Sequence, residues 1–255
     1  MSRSNKTDHA ENPATRFFDW SGGTGEVVYY DRERKENVSV ALPFRFLVLD
    51  EVATVGGGYD NGDSFVGYWS NAIRPRDAKI SPFTVRSSVN GKSRTEAVGL
   101  WSEIKNSVTG AKYVKGLYIA FYDDAGALQL GYLKMKGAAL MPWVEFAKQH
   151  KDIYSGAFAI TGKVAKKKGS NNYFEPEFSY SAKVKDETNE AALALDADVL
   201  QPYLTAYFSQ VQHSEPYAEP QYTGEPEEPE SVKAAFAGSP ISYSHYEDDP
   251  SDVPF

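Results

Sequence analysis

Val38-Ser39-Val40-Ala41-Leu42-Pro43-Phe44-Arg45-Phe46-Leu47-Val48 is the stretch whose reading decides the fold class. Val38, Val40, Leu42, Phe44, Phe46 and Val48 are apolar at every second position, the period that sets six side chains on one side of a β-strand. So regular an alternation predicts a strand that covers a core. Pro43, on the opposite side, has no N–H and marks an edge position or a bulge.

Upstream, Arg16-Phe17-Phe18-Asp19-Trp20 is aromatic enough to pack, and Gly22-Gly23-Thr24-Gly25 leads into a short strand over 26–30. Residues 1–14 form a polar leader without periodicity, expected to be disordered. Downstream, 56–63 (Gly-Gly-Gly-Tyr-Asp-Asn-Gly-Asp) has the composition of a loop, and its Asn-Gly turns the chain into a strand over 64–70. There Phe65, Gly67 and Trp69 share one side and Val66 and Tyr68 the other, so at least one aromatic faces away from the core. A Pro-punctuated basic stretch follows with Arg74, Arg76, Lys79 and Arg86, running into a strand over 83–89.

Ser93-Arg94-Thr95-Glu96 has the form of a capping box. With Ala97, Trp101, Ile104 and Val108 at helical spacing it predicts a helix over 95–108, weakened by Gly99. A strand over 112–122 places Leu117, Ile119 and Phe121 inward and Tyr118, Ala120 and Tyr122 on the other side. After a turn at 123–126, the partner strand 127–136 carries Tyr132, Lys134 and Lys136 on one parity. A short helix fits 138–150, starting late because of Pro142. Strands follow over 157–165, with Phe158, Ile160 and Val164 inward, and 173–182, with Phe174, Phe178 and Tyr180 inward. Lys166-Lys167-Lys168 form a basic hairpin tip between them. A helix over 189–209, with Leu193, Ala197, Leu200, Leu204 and Phe208 on one face and a break near Pro202, closes the folded part.

The 255 residues, 41% of them hydrophobic and 14% aromatic, suffice for a packed core. The absence of Cys excludes a disulfide framework and thiolate metal sites, and no run reaches the roughly 20 apolar residues of a membrane span. A cytoplasmic location is expected, in the bacterial host if the protein is phage-encoded. The net charge of -8 is misleading because charge is segregated along the chain. Residues 211–255 hold ten acids against Lys233 alone, a net of -9, which leaves +1 for the rest. Residues 70–115 and 130–170 are each +6. Basic stretches in the folded part and an acidic extension are the asymmetry of a polyanion binder with a detachable arm.

Catalytic constellations are weak. Asn90-Gly91-Lys92-Ser93 imitates the end of a phosphate-binding loop, but Arg86 stands where the earlier glycine belongs. His9, His150, His213 and His245 are scattered, and 60–63 lacks calcium-loop spacing. The expectation is a non-enzyme with no cofactor and no metal.

Single-strand binding needs cations for phosphates and flat side chains for unpaired bases. The candidates for stacking are Tyr68, Trp69, Tyr118, Tyr122, Tyr132 and Tyr173. Those for phosphates are Arg74, Arg76, Arg86, Lys92, Arg94, Lys112, Lys115, Lys134, Lys136, Lys163, Lys166, Lys167 and Lys168. Several hairpin-linked strands with an inserted helix and basic loops suggest a small barrel, and the OB-fold is the natural candidate because its strand face and loops bind single strands.

The sequence ends Glu247-Asp248-Asp249-Pro250-Ser251-Asp252-Val253-Pro254-Phe255. Its carboxylates repel and its prolines hold it extended, so the expectation is a peptide read by a partner through the Phe255 ring, the terminal carboxylate and the flanking acids. This tip resembles that of bacterial and phage single-stranded-DNA-binding proteins, which run through several aspartates into Asp-Ile-Pro-Phe; here the ending is Asp252-Val253-Pro254-Phe255. The resemblance covers fewer than ten residues, and the folded part is much longer than the bacterial domain of that family. It implies a mainly β protein with a few helices: an OB-like domain with elaborated loops over 15–210 and a disordered acidic tail over 211–255. It further implies binding of single-stranded DNA in replication, recombination or repair. Replication or repair proteins would be recruited through Asp248, Asp249, Asp252, Val253, Pro254 and Phe255. RNA as ligand and homo-oligomerisation stay open. The other class of reading is a phage structural or interaction protein whose acidic tail is a docking peptide, without DNA binding.

Overall fold

The computed structural model describes residues 11–60, 62, 65–89, 92–150 and 152–213. The leader up to residue 10, the acidic tail from 214 and its tip 247–255 lie outside the described residues. Eleven strands are named: β1 (Arg16–Ser21), β2 (Glu26–Asp31), β3 (Glu36–Val40), β4 (Phe44–Asp60), β5 (Phe65–Ser70), β6 (Phe83–Val89), β7 (Lys92–Gly99), β8 (Ala111–Tyr122), β9 (Leu128–Lys136), β10 (Ala157–Lys168) and β11 (Asn171–Ser181). Four α-helices accompany them: α1 (Trp101–Ile104), α2 (Leu140–Lys148), α3 (Asp186–Ala194) and α4 (Gln201–His213), the last two joined by a π-helical segment, Leu195–Leu200.

The strands form one open sheet in the order β3-β2-β1-β9-β8-β4-β5-β6-β7, to which the β10–β11 hairpin is added at β4. Only β1 and β9 run parallel among the pairs described. β4 organises the sheet because it is 17 residues long. One of its edges pairs with β8 from Leu47 to Gly57. The other is divided, Phe44 to Leu47 pairing with β10 and Gly56 to Asp60 with β5, with an Ala53–Ile73 bridge between them. The mainly β class thus stands. Among the described residues the ladder does not close, so the sheet is open there rather than the small closed barrel expected from the hairpin pattern. A single strand that feeds two neighbours on one edge sends the chain outward rather than around.

The first face of the sheet is a dry core. Phe18, Phe46, Phe83, Leu117, Ile119, Phe121, Leu133, Met135, Phe158 and Ile160 fill it, and Trp101 of α1 and Leu140, Trp143 and Val144 of α2 cover it. Strand parity and burial agree here: Leu117, Ile119 and Phe121 of β8 and Leu133 and Met135 of β9 are buried on this side, as a half-sheet packed against other elements requires, and the charge of Lys115 on the same side is paired with Glu51. The β10–β11 ribbon shifts register between Ile160 and Gly162 and reaches the β1–β2 turn, where the Phe174 N–H donates to the Gly22 carbonyl and the Trp20 indole donates to the Phe174 carbonyl, each at 2.8 Å.

Among the described residues the second face is covered only in part. Ala192, Leu195, Leu200 and Leu204 of the C-terminal helical run pack on Leu47, Val52, Tyr118, Ala120, Leu130 and Tyr132. Here the structure departs from helical reading of the sequence. Leu193 is 58% exposed and Ala197 is exposed too, because the wider π turn before Pro202 rotates the face by one position. Pro202 donates no N–H, and the helix takes this up in the π segment instead of breaking.

Other expectations are corrected likewise. The 38–48 alternation is two strands, with Leu42-Pro43 at the corner. Phe44, Phe46 and Val48 point into the core, while Leu42 is exposed and Val38 and Val40 lie on the edge strand β3. The glycines read as a loop belong to β4: Gly57 and Gly58 have φ of 98° and 154°, which a side chain would strain, so glycine here permits the strand's twist rather than ending it. The helix expected over 95–108 is strand β7 followed by the single turn α1. Ser93 pairs with Ser88 in the β6–β7 ladder, and the actual box is closed by Glu103, whose carboxylate accepts the Leu100 N–H at 3.0 Å. Ladder bonds to β6 outweigh a weak helical propensity. Val164 is exposed on the ribbon, beyond the part of β10 that packs on β4. Ala14, expected in the leader, is buried, and Asn12 donates to the Tyr118 hydroxyl at 3.0 Å.

Candidate nucleic-acid interface

Where α4 leaves the second face uncovered, a groove of about 500 Å³ opens between β9, β8, β4, β5 and the helix. Its depth follows from residue size. On this side β4 presents Val52, Thr54 and Gly56, and β8 presents Val114 and Gly116, so the middle of the sheet has short side chains or none. Tyr132 lies across Gly116, against the space a Cβ would fill there, and bonds toward Thr54. Burial pushes the Tyr132 hydroxyl's pKa up, and the Thr54 bond opposes that rise.

The walls are aromatic. On one side stand Phe65, 69% exposed, and Trp69, 42% exposed; on another stands Phe17, 37% exposed. A continuous run of ring contacts links Phe17 to Tyr132 at 5.9 Å, Tyr132 to Tyr118 at 5.0 Å, Tyr118 to Tyr203 at 6.4 Å and Tyr203 to Tyr207 at 6.0 Å. These spacings are those of tilted and edge-to-face pairs, which fix ring orientation. Tyr207 is tied down further, its hydroxyl accepting the Ala72 N–H at 2.7 Å. The α4 wall is held by a polar cluster: Arg74 is 2.7 Å from Asp50 and lies 4.6 Å over the Phe208 ring, while Gln201 donates to Asp50 at 3.1 Å and to Asp196 at 2.8 Å.

The cations are on the β8–β9 side. Lys136 pairs with Asp19, whereas Lys134, one step along β9 on the same side, makes no hydrogen bond or ion pair among the described residues. Burial pulls the Lys134 pKa down, Asp19 pulls it back up, and Lys136 lowers it again. A half-buried ammonium without a counter-ion in contact is costly unless a ligand supplies the anion. Lys112 and Arg86 flank the groove: in the ladder Lys112 is opposite Gly56, Gly56 opposite Trp69, and Trp69 opposite Arg86.

Of the residues singled out by sequence, Tyr68, Trp69, Tyr118, Tyr132, Lys134 and Lys136 line the groove, with Arg86 and Lys112 beside it. Tyr68 and Tyr118 are not open stacking platforms. Tyr68 packs partly against the core and near Tyr59, and Tyr118 is buried beneath α4, where burial pushes its pKa up. The others lie elsewhere. Arg74 anchors α4, and Lys115 points to the first side, 3.0 Å from Glu51. Tyr122, at the far end of β8, bonds Thr188 at 2.8 Å. Arg76 and Arg94 sit near Asp77 and Glu96, each at 3.7 Å, and Lys92 begins β7. Lys163, Lys166, Lys167, Lys168 and Tyr173 are on the ribbon. There Lys163 donates to the Thr24 carbonyl and lies 4.7 Å over Phe174, and Lys166 and Tyr173 both face Glu175. The six tip residues Asp248, Asp249, Asp252, Val253, Pro254 and Phe255 lie outside the described residues.

Sequence reading missed Phe17, Phe65, Tyr203 and Tyr207. Strand parity contained the signal for two: Phe17 alternates with the core residues Phe18 and Trp20, and Phe65 shares its parity with Trp69. No family model, no curated protein and no solved structure matches the chain.

Proposed function

We propose that the protein binds single-stranded DNA in this groove, without strong sequence preference, and serves DNA replication, recombination or repair. The observation that carries the reading is Lys134, a half-buried ammonium with no contacting counter-ion among the described residues, set in a groove walled by the exposed rings of Phe17, Phe65 and Trp69. Cations for phosphates beside flat side chains for bases are the two parts such binding needs, and every base has a stacking face. A closed OB barrel is not required. An open sheet face with a glycine-lowered floor offers the same combination of platform and charge as the barrel's strand face.

The acidic tip carries the second half of the proposal, recruitment of replication or repair proteins. Phe255 is the apolar anchor, and Asp248, Asp249 and Asp252, with Val253 and Pro254, form the partner's recognition strip. Phe255→Ala is expected to abolish partner capture while DNA affinity stays that of the intact protein.

Titration of labelled oligothymidine, with duplex and RNA of equal length as controls, tests the DNA half. The single strand binds more tightly than the duplex, and log affinity falls with log salt by about 0.7 per phosphate neutralised. Equal affinity for both DNA forms would reduce the interaction to charge alone. No binding at low salt by the folded protein would leave the acidic tail as a docking peptide on a protein-interaction module.

A further inference from the structure

The groove has a direction, which the ladder fixes. Its cations occupy successive levels along β8 and β9: Lys112 is level with Gly56, Lys136 is opposite Val114 and level with Thr54, and Lys134 is opposite Gly116 and level with Val52. Each step is two residues, roughly 6.7 Å along the strand. That step is comparable to the phosphate repeat of an extended single strand. Three inter-strand spacings separate β9 from β5, roughly 14 Å, and the rings Trp69 and Phe65 stand on that far side. Between the lysines and the rings the floor drops at Gly56, the one position in the row Lys112–Gly56–Trp69–Arg86 without a side chain.

We propose that the single strand lies lengthwise along β8, with successive phosphates on Lys112, Lys136 and Lys134, and that Gly56 is a slot admitting one base, which stacks on Trp69. This rests on the single-strand reading above and adds its path and a specificity-determining position. A phosphate on Lys134 meets an ammonium that no carboxylate among the described residues contacts, whereas Lys136 gives up part of its contact with Asp19. The slot follows from steric space: a Cβ at Gly56 would press on Val114 at 3.3 Å and otherwise reach only the Tyr68 carbonyl, at 3.9 Å, so no further side chain fills the hollow above it. A β-branched residue at position 56 suits a strand but fills that hollow. Because the slot contacts a base and not a phosphate, filling it lowers affinity at every salt concentration equally, while removing a lysine flattens the salt dependence.

The test uses the full chain. Gly56→Val is expected to weaken oligothymidine binding about tenfold with an unchanged salt slope, measured at a temperature where the variant is folded. Lys134→Ala is expected to lower the slope by about 0.7. Photo-crosslinking of wild-type protein to oligothymidine carrying 5-iodouracil places the label on the peptide containing Phe65 and Trp69. Wild-type affinity in Gly56→Val, or a label confined to the 162–177 ribbon, overturns the path and leaves single-strand binding standing. Absence of binding by the wild-type protein removes both. If Gly56→Val fails to fold, the crosslink to wild-type protein decides.

Discussion

The two faces of the sheet are built by the same strands and have opposite characters. On the first face β8 and β9 carry the large apolar side chains Leu117, Ile119, Phe121, Leu133 and Met135, and two helices and a hairpin exclude water from them. On the second face the alternate positions of those strands read Lys112, Val114, Gly116 and Tyr118, then Leu130, Tyr132, Lys134 and Lys136. One face maximises buried area. The other, covered among the described residues by α3 and α4 at one end only, retains cations and ring faces that a core would have excluded at a cost. Strand parity alone, one residue apart, separates a packed apolar face from one that carries cations and ring faces.

That separation makes substitutions on the two faces diverge. The largest effect is expected on the first face, where Trp143→Ala removes an indole packed against Phe46, Phe158 and Phe178. It should cost about 3–5 kcal/mol in stability by denaturant unfolding. DNA affinity at a temperature where the variant is folded should be unaltered; a selective loss of binding would join the two faces. On the second face Trp69→Ala is expected to cost roughly 1–3 kcal/mol in DNA affinity and nothing measurable in melting temperature. A fall in melting temperature with affinity intact would assign Trp69 to the core.

The smallest effect is expected from the ribbon, a basic region outside both faces. Lys166, Lys167 and Lys168 replaced together by alanine should change the salt slope less than Lys134→Ala does, since Lys166 already faces Glu175 and the ribbon lies off the groove. A larger loss of slope from the triple variant would move the main phosphate track to the ribbon.

Parity made the first face legible in the sequence: Leu117, Ile119 and Phe121, and Phe44, Phe46 and Val48, are buried where alternation puts them. It equally placed Tyr132, Lys134 and Lys136 together. The remainder was hidden for physical reasons. Ser93-Arg94-Thr95-Glu96 satisfies a helix cap and a strand alternation at once, and only the presence of β6 decides between them. Gly56, Gly57 and Gly58 have loop composition, yet their use is to twist a long strand and lower its floor, which depends on neighbours distant in sequence. Tyr203 and Tyr207 could not be oriented without the phase change in the 195–200 π turn. Lys163 and Lys166 counted as free charge in the composition, but Thr24 and Glu175 engage them in the fold.

Lys134 tests the account most directly, because stability and binding make opposite demands on it. Its folded pKa is lowered, so between that value and the unfolded chain's value the unfolded state holds more protons and stability rises with pH; at neutral pH the charge is present and its burial cost is in force. Lys134→Met removes that cost at similar volume. Thermal melting and oligothymidine titration of this one variant at neutral pH should therefore give a raised melting temperature together with weaker binding and a salt slope lower by about 0.7. A lowered melting temperature with unchanged affinity would contradict it, making Lys134 an ordinary structural residue and the groove something other than the DNA site.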